Sequence, residues 1–207
     1  MADRPGDAAP GGVDAAAIER AGAAIREGEL VVYPTETVYG LGADALDPGA
    51  IDRVFEAKGR PRDRPLSLGV PDVDAALEYV APTDREERFM RAFLPGPVTV
   101  VLGRRDPVPD ALTAGRDRVG IRVPAHEVAL AFYREADRPV TATSANRSGE
   151  GSARRVEAVS RSIREAAVVL DGGETPGTES TVVDPSLDDP VLREGSEADA
   201  IRAWLRG

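Results

Sequence analysis

Near its start the chain reads Leu30-Val31-Val32-Tyr33-Pro34-Thr35-Glu36-Thr37-Val38-Tyr39-Gly40-Leu41-Gly42. Four apolar residues ended by a proline predict a short buried strand. The two threonines that follow predict the cap of a short helix, because threonine hydroxyls accept hydrogen bonds from the free amides at a helix start. Such a turn aims backbone amides and a hydroxyl at a ligand above the sheet edge. A plain helix cap without a ligand explains the same residues.

Helices and strands are predicted to alternate on both sides of this strand. Asp14 is placed to cap a first helix that runs to about Glu27 and is stopped by Gly28. Periodicity and turn residues predict further helices at 50–58, 85–93, 127–136, 156–164 and 197–205, and strands at 66–70, 98–103, 119–123, 140–143, 168–171, 180–184 and 191–193. Without an internal repeat or a linker in residues 14–207, this alternation predicts one α/β domain with a mixed sheet, preceded by a disordered tail at residues 1–13.

The composition excludes several classes of protein. The 207 residues contain no cysteine and one histidine, so we expect no disulfide framework, no thiolate metal site and no histidine-based metal centre. The sequence shows no signal peptide and no apolar run of about 20 residues, which predicts a cytoplasmic protein.

The charge of the chain is strongly negative, with 36 acidic and 26 basic residues and a net charge of −10. Such a surface repels itself, and high salt would screen that repulsion, so we predict a halophilic source such as a haloarchaeon. A GC-rich genome would explain the scarcity of lysine but not the excess of acids. The negative charge also argues against broad binding to a nucleic-acid backbone.

The only lysine of the chain stands in a basic cluster, Lys58-Gly59-Arg60-Pro61-Arg62-Asp63-Arg64-Pro65. A compact ammonium can meet a phosphate oxygen as a point charge, whereas planar guanidinium groups suit fork-shaped partners. Two prolines stiffen the segment, and the second leads directly into an apolar strand. We therefore predict that this cluster binds a small polyanion, with a solvated loop of Arg–Asp pairs as the alternative.

Two more segments place small polar residues where predicted strands end. One is the loop Thr143-Ser144-Ala145-Asn146-Arg147-Ser148-Gly149, in which the backbone could approach a ligand closely. The other joins Ser180-Thr181, which opens a strand, to Arg193, which ends the next one, and this pairing suits a carboxylate or phosphate. Ordinary polar turns and strand ends explain these segments equally well.

Several familiar chemistries are excluded. The chain contains no G-x-x-x-x-G-K-S/T sequence, so it is not a P-loop enzyme. His126 follows Val123-Pro124-Ala125 where a helix is predicted to begin, and we interpret it as a structural cap rather than part of a Ser–His–Asp triad. The carboxylates lack the paired spacing typical of glycosidases.

Taken together and in order, these segments resemble the YrdC/Sua5 family of L-threonylcarbamoyladenylate synthases. The resemblance extends from about residue 14 to residue 195 and rests on Pro34 to Gly42, Lys58-Gly59-Arg60-Pro61, Pro65-Leu66, Pro95-Gly96-Pro97-Val98-Thr99, Gly120-Ile121-Arg122-Val123-Pro124 with His126, Ser144 to Gly149, Ser180 to Asp184, and Arg193-Glu194-Gly195. It implies an open, twisted, mixed α/β sheet with a large, concave, positively charged cavity. It also implies synthesis of threonylcarbamoyl-AMP and pyrophosphate from L-threonine, bicarbonate and ATP. The product would serve the threonylcarbamoyl modification of adenosine 37 in tRNAs that read codons starting with A.

The resemblance also implies roles for individual residues. Four would hold threonine, with the arginine pairing its carboxylate: Thr35, Arg122, Ala142 and Ser180. Eight would surround ATP: Lys58, Arg60, Arg64, Arg118, Ser144, Asn146, Ser152 and Arg193. Of these, Lys58 and Arg60 would be catalytic, because they would stabilise the charge that develops in nucleotidyl transfer. No residue is expected to hold a metal, so Mg²⁺ would arrive with ATP.

The chain departs from the family pattern at three positions. Gly69 stands where many longer relatives carry a histidine, Arg64 where Asn or Lys is frequent, and Thr143 where proline is frequent. The resemblance implies the short, single-domain form, without the extra C-terminal domain of longer members. Further expected partners are the complex that transfers the threonylcarbamoyl group to tRNA, by transient contact, and double-stranded RNA, weakly. The alternative function is that of a nucleotide- or double-stranded-RNA-binding paralogue in ribosome maturation, without synthase activity.

Overall fold

The computed structural model describes residues 12–207, so most of the tail predicted at residues 1–13 lies outside the described residues. The strands are β1 Leu30–Tyr33, β2 Gly40–Gly42, β3 Ser67–Gly69, β4 Val98–Gly103, β5 Arg118–Arg122, β6 Val140–Ser144, β7 Ala167–Val169, β8 Thr181–Val183 and β9 Val191–Arg193. The helices are α1 Ala15–Arg26, α2 Pro48–Lys58, α3 Val73–Ala76, α4 Asp84–Phe93, α5 Asp110–Thr113, α6 Glu127–Ala136, α7 Arg161–Glu165 and α8 Ala198–Arg206. None of these helices is long and apolar enough to cross a membrane.

Local sequence sets the ends of the helices. At the start of α1 the Asp14 carboxylate accepts a hydrogen bond from the amide of Ala16 at 3.2 Å, as the sequence predicts. α2 ends at Gly59, whose φ of 58° is left-handed and costs glycine little. α4 begins with a reciprocal capping box between Thr83 and Glu86. These end signals explain why the predicted bounds of the longer helices agree closely with the structure.

The strands form one mixed sheet in the order β7-β1-β2-β6-β3-β5-β4-β8-β9. β1 pairs antiparallel with β2 and parallel with β7, while β5 pairs parallel with β3 and antiparallel with β4. β7 and β9 are the open edges. The predicted α/β architecture with an open mixed sheet is therefore confirmed.

The two faces of the sheet are covered differently. Along β1, Leu30 and Val32 belong to the main core, whereas Val31 and Tyr33 belong to a second core. The main core also contains apolar residues of α2, α4 and α8, and the second core contains those of α1 and α6. Because side chains alternate along a strand, β1 is buried on both faces. α1 and α6 leave the central strands of the second face open.

Small side chains on this second face make room for a cavity. Ser67 of β3 pairs with Ala142 of β6, and both line the cavity together with Gly120 of β5. The alternate residues Leu68 and Ile121 point to the other face and are completely buried in the main core. The same strands thus form a dense core on one side and a concave surface on the other.

Two sequence predictions are wrong in detail. Residues 34–39 form a bend rather than a short helix, because the Thr35 hydroxyl satisfies the nearest amides, those of Thr37 and Val38, at 3.1 and 3.2 Å, and the chain then enters β2. The helix predicted at 156–164 is split into a 3₁₀ turn and α7, because the backbone of Val159 between them is extended. The short elements β2, α3 and α5 were not predicted.

Candidate functional site

A cavity of about 800 Å³ opens on the second face of the sheet. Its floor comes from the central strands, and its rim from the bend after β1, the segment before β3 and the turn before β5. Its wall carries three acids, Asp117, Glu179 and Asp184, and six arginines, Arg60, Arg64, Arg116, Arg118, Arg122 and Arg193. In a chain with a net charge of −10, this local excess of cations indicates a site for an anionic ligand.

Three of the arginines, Arg60, Arg64 and Arg116, form no ion pair with an acid anywhere in residues 12–207. Arg60 instead donates to the backbone carbonyl oxygens of Arg64 and Pro65, at 3.1 and 3.0 Å. Burial lowers the pKa of Arg60, and the nearby Arg64 and Arg193 lower it further. A guanidinium nevertheless stays protonated in proteins. These three guanidinium groups form no ion pair, and a phosphate chain would supply them with anionic partners.

Lys58 lies behind the cavity wall rather than on it. The residue is 2% exposed, and its ammonium donates to the backbone carbonyl oxygens of Ser144 and Asn146, the latter at 2.7 Å. Burial lowers the pKa of Lys58 to about 8, and the charge of Arg60 contributes to this shift. The ammonium thus fixes the loop that follows β6 directly behind Ser144, which lines the cavity. The two carbonyls use two of the three N–H donors of the ammonium, so one donor remains for a phosphate oxygen.

Two other predicted ATP residues also lie off the wall. Asn146 donates to two carbonyl oxygens of its own loop, at 2.8 and 2.7 Å, and so stabilises the loop. Its Oδ1 and the Ser148 hydroxyl are buried and have no hydrogen-bond partner in the described part of the chain. Ser152 donates to the carboxylate of Glu179 at 2.7 Å. The loop therefore holds polar atoms around the cavity mouth without itself filling it.

Ser180 and Arg193 meet where β8 and β9 lie side by side, as the sequence predicts. Nη2 of Arg193 donates to the Ser180 hydroxyl at 2.9 Å and to its carbonyl oxygen at 3.0 Å. The same hydroxyl lies 3.3 Å from that of Thr99, and Glu179 pairs with Arg193 at 3.4 Å. Because Ser180 is predicted to contact threonine and Arg193 to contact ATP, the two predicted subsites would adjoin here.

Arg118 lines the cavity, and Nη2 of its guanidinium already has protein partners. It pairs with Asp184 at 2.7 Å and donates to the carbonyl oxygen of Val101 at 2.9 Å. Asp184 is buried, and it also accepts from Ser186 at 2.6 Å. The prediction that Arg118 contacts ATP is therefore supported only by the position of this residue on the cavity wall.

The Arg122 side chain is 8% exposed, and both of its terminal nitrogens donate to protein acceptors. Its Nη2 donates to Glu36 at 2.7 Å, and its Nη1 donates to the carbonyl oxygens of Gly96 and Val98. Since Arg122 already has a carboxylate partner, an incoming carboxylate has to share it with Glu36 or replace Glu36. Oε2 of Glu36 is buried and accepts no hydrogen bond within residues 12–207.

The other predicted threonine residues are small and lie on the wall. The Thr35 hydroxyl is used within its own bend, where it donates to the carbonyl oxygen of Val38 at 2.6 Å and lies 2.8 Å from the hydroxyl of Thr37. A contact between Thr35 and a ligand has to compete with these bonds. Ala142 contributes only a methyl group to the floor and so keeps that part of the cavity open.

His126 directly precedes α6, at the N-cap position, as predicted, but its side chain does not cap the helix. Its Nδ1 is buried without a hydrogen-bond partner in the described chain, and burial lowers the pKa of the imidazole. The interpretation of His126 as a cap therefore holds for its position and is wrong for its side chain, because a ring nitrogen turned into the protein cannot reach the free amides of the helix.

Sequence reasoning missed several polar residues of the wall, among them Tyr33, Thr37, Ser67, Thr99, Arg116 and Glu179. A signal existed for Ser67 and Thr99, because each alternates with a buried apolar residue along a predicted strand. The loop residues Arg116 and Glu179 offered no periodicity from which their direction could be predicted.

A metal site would need several ligating side chains close together. Within residues 12–207, no three His, Asp or Glu side chains lie close enough together to hold a metal ion. The acids on the wall are spread out, and one of them, Asp184, is committed to Arg118.

The chain belongs to the Sua5/YciO/YrdC family, whose sequence model, described as telomere recombination, matches residues 23–195. The threonylcarbamoyl-AMP synthase of Pyrococcus abyssi is 48% identical to it over 172 residues, which cover 81% of this chain and 50% of the relative. The synthase of Bacillus subtilis is 42% identical over 182 residues, 84% of this chain and 52% of the relative. The chain thus spans about half the length of these curated relatives.

The fold comparison agrees with the sequence comparison. The crystal structure of P. abyssi Sua5 complexed with L-threonine superposes with a TM-score of 0.82 at 43% sequence identity, covering 89% of this chain and 56% of that one. The resemblance to the family that the motifs predicted is therefore confirmed.

Proposed function

We propose that this chain is an L-threonylcarbamoyladenylate synthase, which makes threonylcarbamoyl-AMP and pyrophosphate from L-threonine, bicarbonate and ATP. The observation that carries the proposal is the cavity wall itself. It combines arginines without acid partners, which suit a triphosphate, with the buried Arg122, which suits a carboxylate. The high identity to synthases supports the same substrates.

The reaction needs alignment and charge neutralisation rather than a nucleophilic side chain. The protonated amine of threonine first loses a proton. Its nitrogen then forms a bond to the bicarbonate carbon while a carbon–oxygen bond of bicarbonate breaks, water leaves, and a carbamate results. A carbamate oxygen then bonds to the α-phosphorus of ATP while the bond to the bridging oxygen of pyrophosphate breaks. Rate enhancement would come from holding these groups in line and from stabilising the developing negative charge.

The residues would divide this work by position. Arg60 and Arg64, with Arg193 near them, would hold the phosphates, and Lys58 would add its charge from behind Ser144. Arg122 and Ser180 would hold threonine, together with the small residues Thr35 and Ala142. Asn146 and Ser152 would act through the loop and through Glu179 rather than by lining the cavity.

Mg²⁺ would arrive bound to ATP. The described residues offer isolated carboxylates rather than a ligand cluster, and Mg²⁺ in nucleotide sites is commonly held by one or two carboxylates plus phosphate oxygens. Among the wall carboxylates, Glu179 pairs with Arg193, and its charge also acts on Lys58. When bound, the ion would neutralise phosphate charge.

In the cell, we propose a cytoplasmic role in supplying the threonylcarbamoyl group for adenosine 37 of tRNAs that read codons starting with A. The mixed anhydride of a carbamate and a phosphate is reactive, so direct transfer to the complex that consumes it would limit hydrolysis. A halophilic source is proposed from the charge of the chain alone.

The test is a reconstitution with the full chain. Purified protein is incubated with ATP, Mg²⁺, L-threonine and labelled bicarbonate in molar KCl, and threonylcarbamoyl-AMP is measured by mass spectrometry. The expected result is a product that carries the label and forms in equal amount with pyrophosphate. Omission of bicarbonate is the control. Folded protein that binds ATP and double-stranded RNA but makes no product would instead support the paralogue.

A further inference from the structure

A buried pair of tyrosine hydroxyls lies beside Arg122 at one end of the cavity. Tyr33 ends β1 and lines the cavity, and its ring crosses β2 above Gly40 and Gly42. A Cβ at position 40 would lie 2.6 Å from Cζ of Tyr33, and one at position 42 would lie 3.1 Å from Cε1. The two glycines therefore allow the ring to lie flat against the sheet and carry its hydroxyl towards the central strands.

The second hydroxyl, that of Tyr133, comes from α6 and reaches the same place. Gly69 of β3 pairs in register with Arg122 of β5, so side chains at the two positions would stand next to each other on one face. A Cβ at position 69 would collide with the Tyr133 hydroxyl. The Tyr133 hydroxyl thus fills the space beside Arg122 that a side chain at position 69 would take.

The two hydroxyls bond to each other and leave one hydrogen unused. Their oxygens are 2.7 Å apart, and either can be the donor. Each tyrosine has one O–H, so the mutual bond uses one hydrogen, and the other has no acceptor in residues 12–207. The nearby Glu36 does not take it, because its free Oε2 has no hydrogen-bond partner.

Both hydroxyls keep their protons under ordinary conditions. Burial raises the pKa of Tyr33 to about 12 and that of Tyr133 well above its usual value. A buried donor without a protein acceptor is costly, and at the wall of a cavity it is available to an acceptor that enters the cavity. Tyr133 does not line the cavity, whereas Tyr33 does, so the unused hydrogen can reach a ligand from Tyr33.

We infer that Tyr33, with its hydroxyl oriented by Tyr133, donates a hydrogen bond to the carboxylate of the α-amino-acid substrate beside Arg122. This inference rests on the proposed function. The hydroxyl, from the end of β1, and the guanidinium, from the end of β5, together offer a carboxylate a neutral donor and a cation. Two donors fix the direction of the carboxylate better than a single arginine does. Tyr33 is a binding residue, and Tyr133 is a positioning residue that acts through it.

The test compares Tyr33→Phe and Tyr133→Phe with the wild-type chain, because each change removes one oxygen and keeps the ring. Threonine binding is measured by calorimetry, which needs no turnover, and the KM values for threonine and ATP are measured separately. We expect Tyr33→Phe to weaken threonine binding and raise its KM about tenfold, with the KM for ATP changed less than about twofold. Tyr133→Phe should raise the KM for threonine by a smaller factor, about threefold, because Tyr33 keeps its donor but loses its orienting partner.

Tyr79→Phe is the matched control, since Tyr79 is half-buried and lies outside the cavity wall. An unchanged threonine affinity in Tyr33→Phe, or equal losses for threonine and ATP, would overturn the inference, as would a wild-type chain that does not bind threonine. A wild-type chain that binds threonine but forms no product would overturn the proposed function alone, and calorimetry on the variants would still decide the role of Tyr33.

Discussion

The carboxylate of Glu36 lies 2.7 Å from Nη2 of Arg122, and this ion pair joins the bend after β1 to the end of β5. Both side chains are largely buried, at 16% and 8% exposure. Buried charges need partners, and removal of one partner leaves the other uncompensated. The arginine that is predicted to receive the substrate carboxylate is therefore neutralised by an internal carboxylate when the cavity holds no ligand.

Replacement of Glu36 by Gln tests whether the Glu36 carboxylate compensates the charge of Arg122. We expect Glu36→Gln to lower the free energy of unfolding by about 3 kcal/mol, because the Arg122 charge stays buried without a counter-charge. Added threonine should then raise the melting temperature of the variant more than that of the wild type, since its carboxylate supplies the missing charge. Thermal unfolding with and without threonine measures both effects.

The matched control is Glu179→Gln. Glu179 also pairs with an arginine of the wall, Arg193, but both side chains are 48% exposed, so we expect a loss below about 1 kcal/mol. If threonine stabilises Glu36→Gln no more than the wild type, then Arg122 does not receive the substrate carboxylate.

The buried lysine should make the proposed nucleotide binding depend on pH. Burial lowers the pKa of Lys58 from its usual 10.5 to about 8, so its positive charge is lost as the pH rises through about 8. We expect the affinity for ATP to fall between about pH 7 and 9, and Lys58→Met to bind ATP about tenfold more weakly with a flatter pH profile. Calorimetric titration of a non-hydrolysable ATP analogue across this range measures the effect.

Unfolding does not explain such a loss of affinity. Between about pH 8 and 10.5 the unfolded chain binds more protons at this lysine than the folded chain does, so the lysine's contribution to the free energy of unfolding rises with pH. A wild-type pH profile identical to that of Lys58→Met would show that the charge of Lys58 has no part in nucleotide binding.

Much of the fold is predictable from local sequence. β1, β4, β9 and α6 have the predicted bounds residue for residue, because proline, glycine or a sharp change of polarity marks their ends. The bend after β1 was missed because a threonine hydroxyl can satisfy free amides with or without a helix behind it. β2 contains two glycines in three residues, which gives no strand propensity, and pairing with β1 and β6 alone makes it a strand.

The sequence motifs select several residues that line the cavity, but they do not predict the partners of those residues. The motifs select Arg122 and Arg193, but Glu36 lies 86 residues from Arg122 in sequence, and the two tyrosines of the hydroxyl pair lie 100 residues apart. No local pattern encodes such contacts. Lys58 was correctly singled out as unusual, but its burial beneath the loop after β6 follows from how α2 packs, which periodicity alone does not specify.

The excess of acids should make the fold depend on salt. With 36 acidic and 26 basic residues, the surface repels itself when counterions are scarce. We expect the melting temperature to rise as KCl increases from millimolar to molar concentration, because screening weakens that repulsion. Differential scanning calorimetry measures this, with glycine betaine, a zwitterion without net charge, at equal osmolality as the control. A flat or falling melting temperature would remove the halophilic interpretation and leave the enzyme assignment intact.

The arginines without acid partners should set the affinity for the phosphate chain. Arg116 lines the cavity and donates only to the backbone carbonyl of Asp63, at 3.3 Å, so its charge is available to a ligand. We expect Arg116→Ala and Arg64→Ala each to weaken ATP binding about tenfold and AMP binding much less, because the lost contacts are to the outer phosphates. Arg20→Ala, on the exposed surface of α1, is the control with unchanged affinity. Equal losses for ATP and AMP would move both arginines to the nucleoside end, and no loss in either variant would leave Arg60 and Arg193 as the cations that hold the phosphates.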